Sequence, residues 1–91
     1  MTTLFDLATL VGGSVVGDPY FQIEGIRELH RAGPTELSFL TQAKYRDAFR
    51  ATKAGAVLVS EAPESSHTNL LICENPYLAL AQIAQALYPK P

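Results

Sequence analysis

Ala56-Val57-Leu58-Val59 is a run of four apolar residues with no alternation, and Leu70-Leu71-Ile72-Cys73 repeats the pattern further along the chain. A strand with one face in water alternates apolar and polar residues. An unbroken apolar run of this length reads instead as a strand buried on both faces, as in a parallel sheet covered by helices. Between the two runs, Glu61 to Asn69, with Pro63, Ser65 and Ser66, is a polar surface loop.

The flanking segments supply the covering layers. Downstream, Asn75-Pro76 opens a helix, with Asn as cap and Pro at the first helical position. Tyr77, Leu80, Ala81, Ala84, Leu87 and Tyr88 are its expected apolar stripe, and Pro89-Lys90-Pro91 ends it. Upstream, Ala32-Gly33-Pro34 is a turn, Leu37 to Leu40 a short strand, and a helix starts near Ala43. Phe21 to Leu29 reads as a longer strand; Ile26 breaks its alternation, so a bulge and a bend are expected at Gly25. Gly17-Asp18-Pro19 is a turn, Ser14 to Val16 a short strand, and Gly12-Gly13 the stop of a first helix. In that helix Leu4, Leu7, Ala8 and Val11 share a face, Thr3 is the N-cap and Asp6 completes a capping box. The expected fold is a small α/β domain, a mixed sheet of about five strands flanked by three helices.

At 91 residues the chain is long enough for one core, and its 47% apolar and 18% charged residues are those of an ordinary globular protein. The net charge is −2, with no run of Lys or Arg, which argues against binding to a nucleic-acid backbone. A single mononucleotide needs no such patch. The one cysteine, Cys73, lies inside an apolar strand and reads as a buried core thiol in a reducing compartment. No signal peptide and no membrane span is recognisable, and a cytoplasmic location is expected.

No catalytic constellation emerges. His30 and His67 are isolated among polar or turn residues, with no second ligand at metal spacing, and the carboxylates are scattered. Gly12-Gly13 lacks the preceding strand of a phosphate loop. Neither a metal nor a cofactor is expected. The one candidate binding feature is the corner Leu37-Ser-Phe-Leu-Thr-Gln-Ala-Lys-Tyr45, which carries Phe39 and Tyr45 on opposite sides. Two rings so placed make a slot for a flat ligand such as a nucleobase, with Thr41, Gln42 and Ala43 at the corner. The competing reading is core: Tyr45 and Phe49 are four apart and could pack together, and aromatic stripes usually mean burial. The phenolic oxygen of Tyr45 wants water or a partner, and the residues alone leave the choice open.

Several motifs occur in order: Gly12-Gly13-x-Val15-Val16-Gly17-Asp18, Ile23-Glu24-Gly25-Ile26, Ala32-Gly33-Pro34-x-Glu36-Leu37-Ser38-Phe39-Leu40, Lys44-Tyr45, Lys53-Ala54-Gly55-Ala56-Val57-Leu58-Val59 and Asn75-Pro76-Tyr77-Leu78-Ala79. Together they resemble the N-terminal domain of the UDP-3-O-acylglucosamine N-acyltransferases of lipid A biosynthesis, over nearly the whole chain. The first domains of the Mur ligases, which also handle UDP-linked sugars, are close in architecture.

The resemblance implies a homotrimeric enzyme with a left-handed β-helix of hexapeptide repeats beyond this head. That enzyme moves a 3-hydroxyacyl chain from acyl carrier protein to the 2-amino group of a UDP-linked, acylated glucosamine. Its head holds the uracil between two aromatic rings, which match Phe39 and Tyr45. The family often has Asn-Pro where this chain has Gln42-Ala43, which puts the side-chain role of Gln42 in question. The family's catalytic histidine belongs to the β-helix, so neither His30 nor His67 inherits it. On this reading residues 1–88 are the uracil-binding head, 89–91 begin a linker, and the chain alone is inactive. The alternatives are the UDP-binding head of a Mur ligase, or an interaction module that binds no nucleotide.

Overall fold

From the N-terminus the elements are β1 (Thr2–Thr3), α1 (Leu4–Val11), β2 (Ser14–Val16), β3 (Gln22–Ile23), β4 (Gly25–Ile26), β5 (Glu36–Phe39), a 3-10 turn (Ala43–Tyr45), α2 (Arg46–Ala51), β6 (Ala56–Val59), β7 (Asn69–Ile72) and α3 (Pro76–Leu87). This computed structural model describes residues 2–63 and 66–89, and of Ala43 only the backbone. Ser65, within the expected polar loop, and residues 90 and 91 of the expected linker lie outside the described residues. The fold is the expected small α/β domain, with one five-stranded mixed sheet and three helices.

The unbroken apolar runs occupy the middle of that sheet. Its strand order is β2-β7-β6-β5-β4, parallel from β4 through β7, with β2 antiparallel at one edge. All four residues of β6 are buried, because both faces of the sheet are covered. Leu37, Ala56, Leu58 and Leu71 face α1 and α3, packing with Leu4, Leu7, Ala79 and Ile83. Val57, Val59 and Leu70 project to the other face, where Phe49 of α2 and the Leu29–Ala32 turn cover them. Each fully buried Leu contributes about 1.5–3 kcal/mol relative to an exposed one, so these central strands hold the domain together.

The ends of the helices follow their chemistry. The Thr3 hydroxyl accepts from the Asp6 N–H at 3.1 Å while the Asp6 carboxylate accepts from the Thr3 N–H at 3.2 Å, the reciprocal cap. Gly12 ends α1 in the left-handed region at φ +68°, where a side chain would be strained. Asn75 caps α3 by accepting from the Leu78 N–H, with Pro76 at the first helical position.

Two expectations need correction. Phe21 to Leu29 is not one bulged strand. Gln22–Ile23 pairs with β1 in a separate two-stranded sheet, and Gly25–Ile26 pairs with β5. The chain changes sheets at Glu24, whose N–H donates to the Thr35 carbonyl at 2.8 Å. The discontinuity near Gly25 was visible in the pattern, but it is a change of partner rather than a bulge, and Leu29 is buried in a turn. The stripe of α3 is also rotated. Pro76, Ala79 and Ile83 are its buried residues, with Leu80 and Leu87 beside them, whereas Ala81 is exposed and Tyr77 and Tyr88 are more than half exposed. At the end of the helix a hydroxyl explains the departure: the Tyr88 oxygen leaves the core to accept the Ile26 N–H of edge strand β4 at 3.0 Å.

Candidate functional site

Strands β4 through β7 are parallel, so their carboxyl ends lie together, and there the connections part to opposite faces. From Phe39 the chain turns through Leu40–Gln42 to α2 on one face; from Ile72 it passes Asn75–Pro76 to α3 on the other. In open α/β sheets ligands bind outside the carboxyl ends of the strands, where the connections diverge in this way. The candidate corner occupies that location.

Each candidate residue has a definite place. Phe39 is the last residue of β5, half-buried, and packs against the cluster on the α1/α3 side. Tyr45 ends the 3-10 turn, is 44% exposed, and donates its N–H to the Gln42 carbonyl at 3.1 Å. The Lys44 ammonium stands 5.2 Å from the Tyr45 ring centroid, over one π-face of that ring. Thr41 is half-buried and Gln42 exposed, while Ala43 opens the 3-10 turn. Tyr45 does not join Phe49 in the core, because Phe49 alone of the two is buried under α2.

Tyr77 is a residue that the helical stripe concealed. Hydrogen bonding from the Thr41 side chain, then from Gln42, holds its phenol below the usual tyrosine range against a weaker opposing effect of desolvation. The signal of Tyr77 was its place directly after the Asn75-Pro76 helix start, at a strand's carboxyl end.

A cavity of about 790 Å³ lies against the corner on the α2 side, lined by Thr41, Gln42, Arg46, Arg50, Ser60 and Glu61 among others. Neither Phe39 nor Tyr45 lines it. A second cavity, of about 490 Å³, lies at the opposite ends of β6 and β7 and takes in Lys53, Gly55 and Asn69. The divergence of the chain is at the carboxyl end, which makes the first the better-placed concavity.

His30 is exposed, and His67 is exposed but anchored: its Nε2 lies 2.9 Å from the Thr52 carbonyl and its ring centroid 5.8 Å from that of Phe49. Among the described residues no group of three or more His, Cys, Asp or Glu is placed to hold a metal ion. Cys73 is buried, and desolvation pushes its thiol up, which keeps it protonated and unreactive. No described helix is long and apolar enough to cross a membrane.

Comparison with known proteins decides the family. The model of UDP-3-O-(3-hydroxymyristoyl) glucosamine N-acyltransferase, LpxD, matches residues 20–86. A UDP-3-O-acylglucosamine N-acyltransferase of Syntrophotalea carbinolica is 42% identical over 88 residues, 97% of this chain and 26% of that protein. The chain belongs to this family. The enzyme of the same name from Anaeromyxobacter sp. strain Fw109-5 is 43% identical over 88 residues, covering 96% of the chain and 25% of its own length. That of Pseudomonas putida KT2440 is 43% identical over 90 residues, covering 98% and 26%. The chain thus spans about a quarter of the length of the N-acyltransferases it matches.

Proposed function

We propose that the chain is the substrate-recognition head of a UDP-3-O-acylglucosamine N-acyltransferase, and that Phe39 and Tyr45 hold the uracil of the UDP-linked acylated glucosamine. The observation that carries this reading is an exposed tyrosine ring and a half-buried phenylalanine on one corner, at the carboxyl ends of the parallel strands β4 through β7. The backbone groups of Thr41, Gln42 and Ala43 are within the same corner to meet the polar edge of the pyrimidine.

Stacking on aromatic rings is worth about 1–3 kcal/mol per base, and the entropy of immobilising the ligand offsets much of it. Affinity for a free uridine nucleotide is then on the order of millimolar to tens of micromolar. In the whole enzyme the contact acts as a remote anchor, holding the glucosamine amine where the acyl chain of acyl carrier protein can reach it. The transfer, the homotrimeric assembly through a hexapeptide-repeat β-helix and the catalytic base belong to the remainder of the protein. On this reading residues 1–88 bind substrate and do not turn it over. The lone buried thiol and a nucleotide-linked substrate both suit the cytoplasm.

One observation favours a second reading, in which the corner is structural: Phe39 packs against the larger core cluster. A titration of the isotope-labelled chain with UMP and CMP separates the two. Saturable resonance shifts centred on Phe39 and Tyr45, larger for UMP than for CMP, are expected. Absence of any shift at ~10 mM ligand, well above the expected dissociation constant, would leave the structural reading.

A further inference from the structure

The cavity on the α2 side of the corner carries a charge pattern at odds with the chain as a whole. From Leu37 to Ser60 the chain has Lys44, Arg46, Arg50 and Lys53 against Asp47 alone, in a protein whose net charge is −2. Arg46 and Arg50 are one helical turn apart, so they share a side of α2, and both line the cavity with Thr41, Gln42 and Ser60.

We propose that this cavity is an anion site for the diphosphate of the uridine nucleotide, held by the guanidinium groups of Arg46 and Arg50. The proposal rests on the reading of the corner as the pyrimidine site. A guanidinium presents its donors in a planar fork that matches a phosphate's oxygens, and two of them one turn apart can hold two linked phosphoryl groups. Thr41 and Ser60 add hydroxyl donors, and Gln42 an amide donor. Thr41 and Gln42 belong to both the corner and the cavity, so a pyrimidine at the corner carries its 5′ phosphates toward α2.

The competing charges are weak or outnumbered. Arg50 lies 3.8 Å from Asp47, but the two side chains are 78% and 99% exposed, a pairing that gives way readily to a phosphate. Glu61 also lines the cavity, one carboxylate against two guanidinium groups. His67 lines it too, with its Nε2 engaged by the Thr52 carbonyl.

Calorimetric titration of this chain with uridine, UDP and inorganic pyrophosphate at low ionic strength tests the proposal, beside an Arg46→Gln/Arg50→Gln double variant. UDP is expected to bind about tenfold more tightly than uridine, the scale of one net charge-assisted contact. That ratio should fall to about one in the double variant, and the advantage should shrink as salt screens it. Both side chains are exposed, so an unchanged thermal melt shows the variant folded. Equal affinities for uridine and UDP, or an undiminished UDP preference in the double variant, would overturn the anion site. Should uridine itself fail to bind, the reading of the corner falls, and pyrophosphate alone decides. Binding lost in the double variant supports the site, and its absence refutes it.

Discussion

Gly55→Ala is expected to destabilise the domain by about 3 kcal/mol, at the upper end of the usual cost of overpacking. A Cβ built at Gly55 would lie 2.2 Å from the Pro34 carbonyl oxygen and 2.5 Å from the Phe21 ring. The first neighbour is backbone, fixed by the turn that leads into β5, and cannot swing aside. Gly55 itself is held on both sides, its N–H donating to the Glu36 carbonyl at 3.0 Å and its carbonyl accepting from the Asn69 side chain at 3.0 Å. For a domain of this size the loss corresponds to a drop in Tm of roughly 12–24 °C. Gly12 provides the contrast: nothing lies near its Cβ position, and only the positive φ resists substitution, at about 1 kcal/mol. Thermal unfolding of the Gly55→Ala chain checks this. A Tm within a few degrees of the parent would mean that Pro34 and Phe21 do not confine β6 as described.

Tyr45→Ala has the largest expected effect on binding. Losing one stacking face worth about 1–3 kcal/mol lowers uridine affinity by roughly 5- to 150-fold. Tyr45 is 44% exposed and ends a 3-10 turn, so stability should change little. Phe39 differs because it packs against the core, and Phe39→Ala should cost stability as well as affinity. Phe39→Leu separates the two roles, since it keeps apolar volume on β5 while removing the ring. Nucleotide titration and urea unfolding of the three variants check this. If Tyr45→Ala leaves uridine affinity unchanged, the ring does not face the base.

Which parts of this molecule can be read from its residues depends on how local their causes are. β6 and β7 are legible because a run buried on both faces has no polar positions at all, and the two caps because Thr3 with Asp6 and Asn75 with Pro76 act within one turn. The segment around Gly25 is not, because its two short strands are defined by partners distant in the chain, Thr2–Thr3 for one and Glu36–Leu37 for the other. The α3 stripe differs from its pattern at the tyrosines, whose rings suggest burial while their hydroxyls favour partners outside the core, as the Ile26 N–H is for Tyr88. At the corner the turn itself was readable, but the separation of Tyr45 from the core was not, because its four-residue spacing to Phe49 fits a shared buried face equally well. The cavity was not, because it joins the Thr41–Arg50 segment to Ser60 and Glu61, which the pairing of β5 with β6 brings together.

A crystal structure of this chain with UMP tests the central claim most directly. The account predicts the uracil ring in van der Waals contact with both Phe39 and Tyr45, its polar edge toward the Thr41–Ala43 backbone. A nucleotide bound elsewhere, or no nucleotide while the Phe39 ring stays closed within the core cluster, would contradict it.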